Sequence, residues 1–228
     1  MSLPVADSTH PTHPASRARA ARASDAAYQR LRDMIVDLRL QPGLPVDEQS
    51  LATELGLGRM PVREAMARLA SDHLVVIMPR RGMIISPVGL DSVLEIFEAR
   101  ESIECGTAYW AASHATGAEF AELRRLIEAA DAARADTDFL RFLDDDQRIH
   151  RLLAHAAHNT FLEQAADRLL VHNLRFWRFF VAAHPVTTGT MMTHRSLLAA
   201  LERRDADAAH TAMRAHIRAA RALLNRLF

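Results

Sequence analysis

The chain has 228 residues, 49% apolar and 25% charged, which is enough for one large or two small domains with real cores. Its 28 basic and 28 acidic side chains cancel to a formal net charge of zero, which excludes a generally polyanion-seeking protein, so any affinity for nucleic acid has to come from local clustering. A single cysteine, Cys105, excludes an internal disulfide and a cysteine-only zinc site, and neither a membrane-span-length apolar run nor a signal core at the N-terminus is present, so a cytoplasmic location is expected.

In chain order, residues 1–24 read as a disordered tail rich in Pro, His, Ala and Arg. Tyr28-Gln29-Arg30-Leu31-Arg32 opens a helix, Gln41-Pro42-Gly43 closes it, and Leu44 to Val46 is extended. From Asp47 to Leu74 the spacing predicts two short helices joined by a glycine corner. Leu51 and Leu55 lie one turn apart, Gly56 and Gly58 bracket Leu57, and Val62, Ala65, Met66 and Leu69 make a second apolar stripe. Pro61 suits a first-turn position. Arg59 and Arg63 sit one turn apart on the face away from the stripe, where arginine can fork onto guanine or clamp phosphate. Val75 to Met78 and Met83 to Ser86 flank Pro79-Arg80-Arg81-Gly82 as a hairpin with a basic tip. A winged helix-turn-helix over residues 25–88 fits this order.

Beyond Pro87 the texture becomes all helical, with amphipathic stretches at Asp91 to His114, Ala118 to Asp136, Asp138 to Ala157, Thr160 to Ala183, Met191 to Arg203 and Asp205 to Leu227. Gly117, Asn159 and Pro185 mark three of the breaks. The expected fold class is therefore mainly α: a winged helix-turn-helix with a small β-hairpin wing, then an all-α antiparallel bundle over residues 89–228.

Polar residues interrupt three of the bundle's apolar stripes. Asp146 and His150 share one face at i, i+4 among Phe139, Phe142, Leu143, Ile149 and Leu153. His194 lies in the stripe Met191, Leu197, Leu198, Leu201, and His216 in the stripe Ala209, Ala212, Met213, Ile217, Ala220, Leu223. A buried polar side chain needs a partner, and one carboxylate with three imidazoles satisfies itself around a divalent metal such as zinc, nickel or manganese. Taken one at a time, such histidines are more often hydrogen-bonded core residues. Arg100 breaks the stripe of the first bundle helix between Phe97 and Ile103, with Glu104 one turn later, where an internal salt bridge is the simplest account. Asn173, Arg175 and Arg178 are candidate ligand contacts, the two arginines equally readable as surface groups, while Phe176, Trp177, Phe179 and Phe180 suit core or dimer interface.

Two resemblances sharpen this reading. Leu-Arg-Asp-Met-Ile from Leu31, Pro42-Gly43, Leu-Ala-x-Glu-Leu-Gly from Leu51, Arg-x-Pro-Val-Arg-Glu-Ala from Arg59, and Arg81-Gly82 resemble the DNA-binding domain of GntR-type bacterial transcription regulators. That resemblance implies DNA contacts at Gln49, Arg59, Met60, Arg63 and Gly82. Gly58 and Met60 replace a usual serine or threonine and a usual threonine, so a helix cap and a phosphate contact are lost. Asp146-x-x-x-His150, Asn159, His194 before Leu197-Leu198-Ala199-Ala200-Leu201, Arg204-Asp205-Ala206 and Met213-Arg214-x-His216-Ile217 resemble the FadR C-terminal-type (FCD) domain, in its six-helix VanR-like form. It implies that Asp146, His150, His194 and His216 bind a divalent metal, zinc first among the candidates. Arg100, in a Glu98-x-Arg100-x-x-x-Glu104 setting, would point into an effector cavity. Beside a metal, that arginine can clamp a carboxylate bidentately, which suggests a small organic or sugar acid. Ile149 and Thr193 replace the family's phenylalanine and glutamate.

The function this implies is a homodimeric, metabolite-responsive regulator, a repressor by expectation, that reads a two-fold double-stranded operator. A metal-only sensor is the alternative. A metal-dependent hydrolase is a remoter one, since no general base or nucleophile motif accompanies the ligands.

Overall fold

A computed structural model of the chain describes residues 14–80, 82–133, 139–183 and 194–227. These divide into two compact units. One comprises the chain up to Ile35 with Gly43–Ser86, the other Val36–Pro42 with the chain from Pro87 onward.

In the first unit, α1 (Pro14–Val36) starts earlier than the sequence suggests. Residues 14–24 of the expected disordered tail are helical, and the physical reason is their run of alanine and arginine, both strong helix formers. The part of that tail before Pro14 lies outside the described residues. Ala27, Leu31, Met34 and Ile35 bury one face of α1. Tyr28 donates its hydroxyl to Asp72 at 2.7 Å while the Arg68 guanidinium lies 4.3 Å above its ring, and Arg30 donates to the Leu55 carbonyl at 2.7 Å. Burial and the Asp72 carboxylate push the Tyr28 phenol up to about 12.

Next come β1 (Pro45–Val46), α2 (Glu48–Leu55) and α3 (Arg59–Ser71). Asp47 caps α2 by accepting the Ser50 N–H at 2.8 Å. Gly56 ends it at φ +65°, with its own N–H on the Thr53 carbonyl and the Leu57 N–H on the Ala52 carbonyl, the paired bonds of a Schellman turn. Gly58 caps α3 without a side-chain hydrogen bond. The corner therefore rests on backbone geometry and on Val62, Ala65, Met66 and Leu69, all buried. Strands β2 (Val75–Met78) and β3 (Gly82–Ile85) form the hairpin, and β1 adds to its far side to give the antiparallel order β1-β3-β2, with Val46 opposite Met83 and Ile77 opposite Met83.

The second unit holds α4 (Leu90–His114), α5 (Gly117–Ala133), α6 (Phe139–Ala156), α7 (Thr160–Ala183), α8 (Arg195–Glu202) and α9 (Ala206–Leu227). α4 is central, packing on α6, α7, α8 and α9, while α5 covers α6 and α8. Their starts are written in the sequence. Thr116 and Glu119 form a capping box for α5, Asn159 accepts the Phe161 and Leu162 N–H groups for α7, and Asp205 accepts the Ala208 N–H for α9. Phe97, Leu123, Ile127, Ile149 and Leu153 are fully buried core residues. Among the described residues no helix is long and apolar enough to cross a membrane.

Candidate metal centre and nucleic-acid interface

α6 presents Asp146 and His150 one turn apart on its inward face, His194 stands at the N-cap of α8, and His216 projects from the middle of α9. His150 Nε2 lies 3.2 Å from His216 Nε2 and 3.3 Å from His194 Nε2. Asp146 Oδ1 lies 3.6, 3.4 and 3.7 Å from the Nε2 atoms of His150, His194 and His216. One donor atom from each of the four falls within 4.8 Å of every other. Edges of this length suit four donors around one first-row divalent cation at about 2.1 Å. The donor set fits too: three imidazole nitrogens and one carboxylate, with the histidines 2%, 3% and 9% exposed.

Behind these donors sits a buried polar layer. Glu104 of α4 takes the His150 Nδ1 proton on one oxygen and the Arg100 Nε–H on the other, the latter at 2.5 Å. A carboxylate only accepts, so Nδ1 carries a proton, and Nε2 is the nitrogen that faces the other donors and would ligate once its own proton is lost. Arg100 also donates to Asn173 Oδ1 at 2.9 Å, but among the described residues its second terminal nitrogen has no partner. Gln147 Nε2 and His216 Nδ1 are likewise buried with none among those residues. Unpaired buried polar atoms are rare and costly, so their gathering at Arg100, Gln147 and His216 singles out this region as built for more than packing.

The electrostatics separate the four donors. Burial holds His194 down to about 4, and burial with the neighbouring His194 imidazole holds His216 well below its ordinary value. Both are therefore neutral at pH 7. Burial pushes His150 down as well, but Glu104 and Asp146 outweigh it and bring the imidazole up to about 9. Burial would raise the two carboxylates. Instead Arg100 and His150 bring Glu104 to about 2, and the three imidazoles keep Asp146 far below the usual carboxylate range.

In the other unit, α3 turns Arg59, Met60 and Arg63 to the exposed face opposite its buried stripe, with Met60 62% exposed. Arg63 Nε pairs with Glu48 at the start of α2 at 3.1 Å. Gln49 is also on α2 and exposed, and the Thr53 hydroxyl donates to its backbone carbonyl at 3.0 Å. Gly82 opens β3 at φ +85°, a conformation L side chains rarely adopt, which accounts for the glycine there by backbone alone.

Residues 23–85 match the family described as bacterial regulatory proteins, gntR family, and residues 95–219, more than half of the chain, match the FCD domain. The chain belongs to the FCD-containing GntR regulators. Curated transcription regulators are similar to it along most of its length. It is 29% identical over 192 residues to the HTH-type transcriptional repressor RspR of Escherichia coli, covering 83% of each chain. It is 32% identical over 203 residues to an HTH-type regulator from an unstable DNA locus of Streptomyces ambofaciens, covering 84% of this chain and 80% of that one. A putative L-lactate dehydrogenase operon regulatory protein of Escherichia coli is 30% identical over 222 residues, with 85% and 83% covered. Among solved structures, E. coli McbR/YncC superposes with a TM-score of 0.76 at 22% identity over 90% of this chain and 98% of that one, a likeness of fold. The matched family and the curated relatives are transcription regulators, not enzymes, and the GntR domain makes this chain a DNA-binding regulator.

For a GntR regulator of this kind, the sequence named the four clustered donors, Arg100 and Asn173, and the structure brings each of the two sets together. The simple salt bridge expected between Arg100 and Glu104 exists, as part of a longer chain of contacts. Asp144 and Asp145 turn to Arg178 and Arg148, away from the donors. Of the two readings open for Arg175, its 2% exposure removes the surface group, and burial lowers its guanidinium to about 10. Phe176, Trp177 and Phe180 are buried, whereas Phe179 is 40% exposed. Met191 and Thr193 lie outside the described residues, and the described α8 starts at Arg195. Sequence reasoning missed Gln147 and the tie from Glu104 to His150. Gln147 sits on the stripe Leu143, His150, Ala154, where its burial was legible, but the partner of His150 lies 46 residues away on another helix.

Proposed function

We propose that this regulator is a metabolite-responsive, cytoplasmic homodimer whose bundle, residues 89–228, binds a divalent metal and a small carboxylate-bearing effector. Its winged helix, residues 25–88, reads a two-fold operator. The observation that carries the reading is the convergence of Asp146 Oδ1 with the Nε2 atoms of His150, His194 and His216. Zinc suits three imidazoles and a carboxylate, with nickel and manganese as competitors. A bound metal would supply a Lewis-acidic position for a carboxylate or hydroxyl oxygen.

The effector class follows from Arg100. One buried terminal nitrogen is a charged donor with no acceptor among the described residues, and Glu104 and Asn173 fix the rest of the guanidinium. A ligand carboxylate satisfies it; organic and sugar acids are the simplest such ligands. Metal sensing alone gives Arg100 no task. The effector changes operator affinity only by its differential affinity for two arrangements of the dimer. The name of the RspR relative supports repression, relieved by the ligand. Arg59, Met60, Arg63 and Gln49 serve as DNA contacts, with Gly82 shaping the wing.

The test is a thermal-shift screen of metal-loaded protein against small carboxylic and sugar acids, with Arg100→Ala beside it. A stabilising acid whose effect vanishes in the variant supports the reading. Operator affinity that follows metal alone, with every acid silent, supports the metal sensor instead.

A further inference from the structure

Arg63, on the exposed face of α3 one turn after Arg59, is already engaged on one side. Its Nε donates to Glu48, 3.1 Å from Oε2 and 3.4 Å from Oε1. The carboxylate belongs to the first residue of α2, beside the cap Asp47, and is 16% exposed, whereas the Arg63 side chain is 62% exposed. The anchoring end of the pair is thus held against the protein and the guanidinium reaches out. Among the described residues the two terminal nitrogens of Arg63 have no hydrogen-bond partner.

A guanidinium offers paired donors along two kinds of edge, one including Nε and one formed by the terminal nitrogens. Glu48 occupies the first. What remains is the terminal fork, whose geometry matches O6 and N7 of guanine. Holding Nε also removes side-chain freedom that an unrestrained arginine would lose on binding. The same carboxylate, placed beside a DNA-facing surface, opposes phosphate whatever the sequence. Both effects raise the ratio of specific to non-specific binding.

We propose that Glu48 is a specificity-determining positioning residue: it presents the terminal fork of Arg63 to a base and suppresses binding to unrelated DNA. This rests on the reading of Arg63 as a DNA contact. A charge that merely favours the N-terminus of α2, or a surface ion pair, would leave base preference untouched.

The experiment is selection from a randomised duplex library, at one fixed salt concentration, by the full-length wild type, Glu48→Ala, Glu48→Gln and Arg63→Ala. Wild type enriches a motif, and Arg63→Ala loses preference at one position of each half-site. Glu48→Ala weakens that same position about five-fold with the rest of the motif intact, and binds an unrelated duplex about two-fold more tightly. Glu48→Gln keeps an acceptor for Nε without the charge, so it retains the preference while sharing the tighter unrelated binding. If Arg63→Ala loses the preference and both Glu48 variants keep wild-type preference, the positioning role is overturned and the Arg63 contact stands. Equal losses of specific and unrelated binding in Glu48→Ala mean a structural role and overturn it too. An Arg63→Ala motif identical to wild type, or no motif from wild type, overturns the underlying reading.

Discussion

His150 divides its two ring nitrogens between two carboxylates: Nδ1 meets Glu104 on α4, and Nε2 faces Asp146 one turn back on its own helix at 3.6 Å. The first contact keeps a proton on Nδ1, so that the proton a metal would displace is the one on Nε2. Removing the Glu104 charge should therefore weaken metal binding without removing any donor. Glu104→Gln is expected to lose about 10- to 100-fold in metal affinity, read by competition with a chromophoric chelator. Unchanged affinity would mean that Glu104 does not set the His150 tautomer.

His194 is the donor contributed from the N-cap of α8, where its removal breaks no helix. His194→Ala should stay helical by circular dichroism. The rise in melting temperature that metal gives wild type, a consequence of binding to the native state, should shrink to little or nothing. A variant that keeps the full metal-induced rise removes His194 from the ligand set.

Gly56 turns the chain between α2 and α3 at φ +65°, and a Cβ built there meets nothing within 4 Å. The cost of alanine is then purely that of the left-handed backbone, about 1–2 kcal/mol. Chemical denaturation of Gly56→Ala should show a loss of that size. A loss near zero would mean the corner relaxes to another turn.

Acid should find a separate weak point at the start of α5. The Thr116 N–H and hydroxyl donate to Glu119 Oε2 at 2.7 Å each and His158 Nε2 lies 3.0 Å away, and these bring the carboxyl from 4.5 to about 2. As pH falls, the unfolded chain takes this proton first. The stabilisation is therefore complete above about 4.5 and is lost between there and about 2. Glu119→Gln cannot titrate. The metal-free variant should be less stable than metal-free wild type by about 1 kcal/mol at neutral pH, with the gap closing toward pH 2. A gap that stays constant across that range would show that the carboxylate charge contributes nothing.

Helix positions and the four donors were legible because they are local or periodic. Asp146 and His150 share a face by spacing alone, and His194 and His216 each stand where an apolar residue belongs. Asn159, Gly117 and Gly56 mark their breaks by known turn chemistry. What local pattern did not carry was pairing between distant elements. Glu104 reads as the i+4 partner of Arg100, and only the packing of α4 against α6 gives its second oxygen to His150. Arg175 reads equally as a ligand contact or a surface charge, and only the bundle's packing, which buries it, removes the second. β1, two residues long, reads as merely extended, because its identity as a strand comes from β3 nearly forty positions later.

That short strand has a mechanical consequence. The Gly43 N–H bonds to the Ile85 carbonyl and the Ile85 N–H to the Leu44 carbonyl, both at 2.9 Å, so the chain enters and leaves the helix-turn-helix and wing side by side. Everything between, including the corner at Gly56 and the reading face of α3, is a loop closed at its neck by this clasp and braced along its length by α1, through Arg30 on the Leu55 carbonyl and Tyr28 on Asp72. The reading helix is thereby fixed from two sides by contacts that no DNA-facing residue supplies.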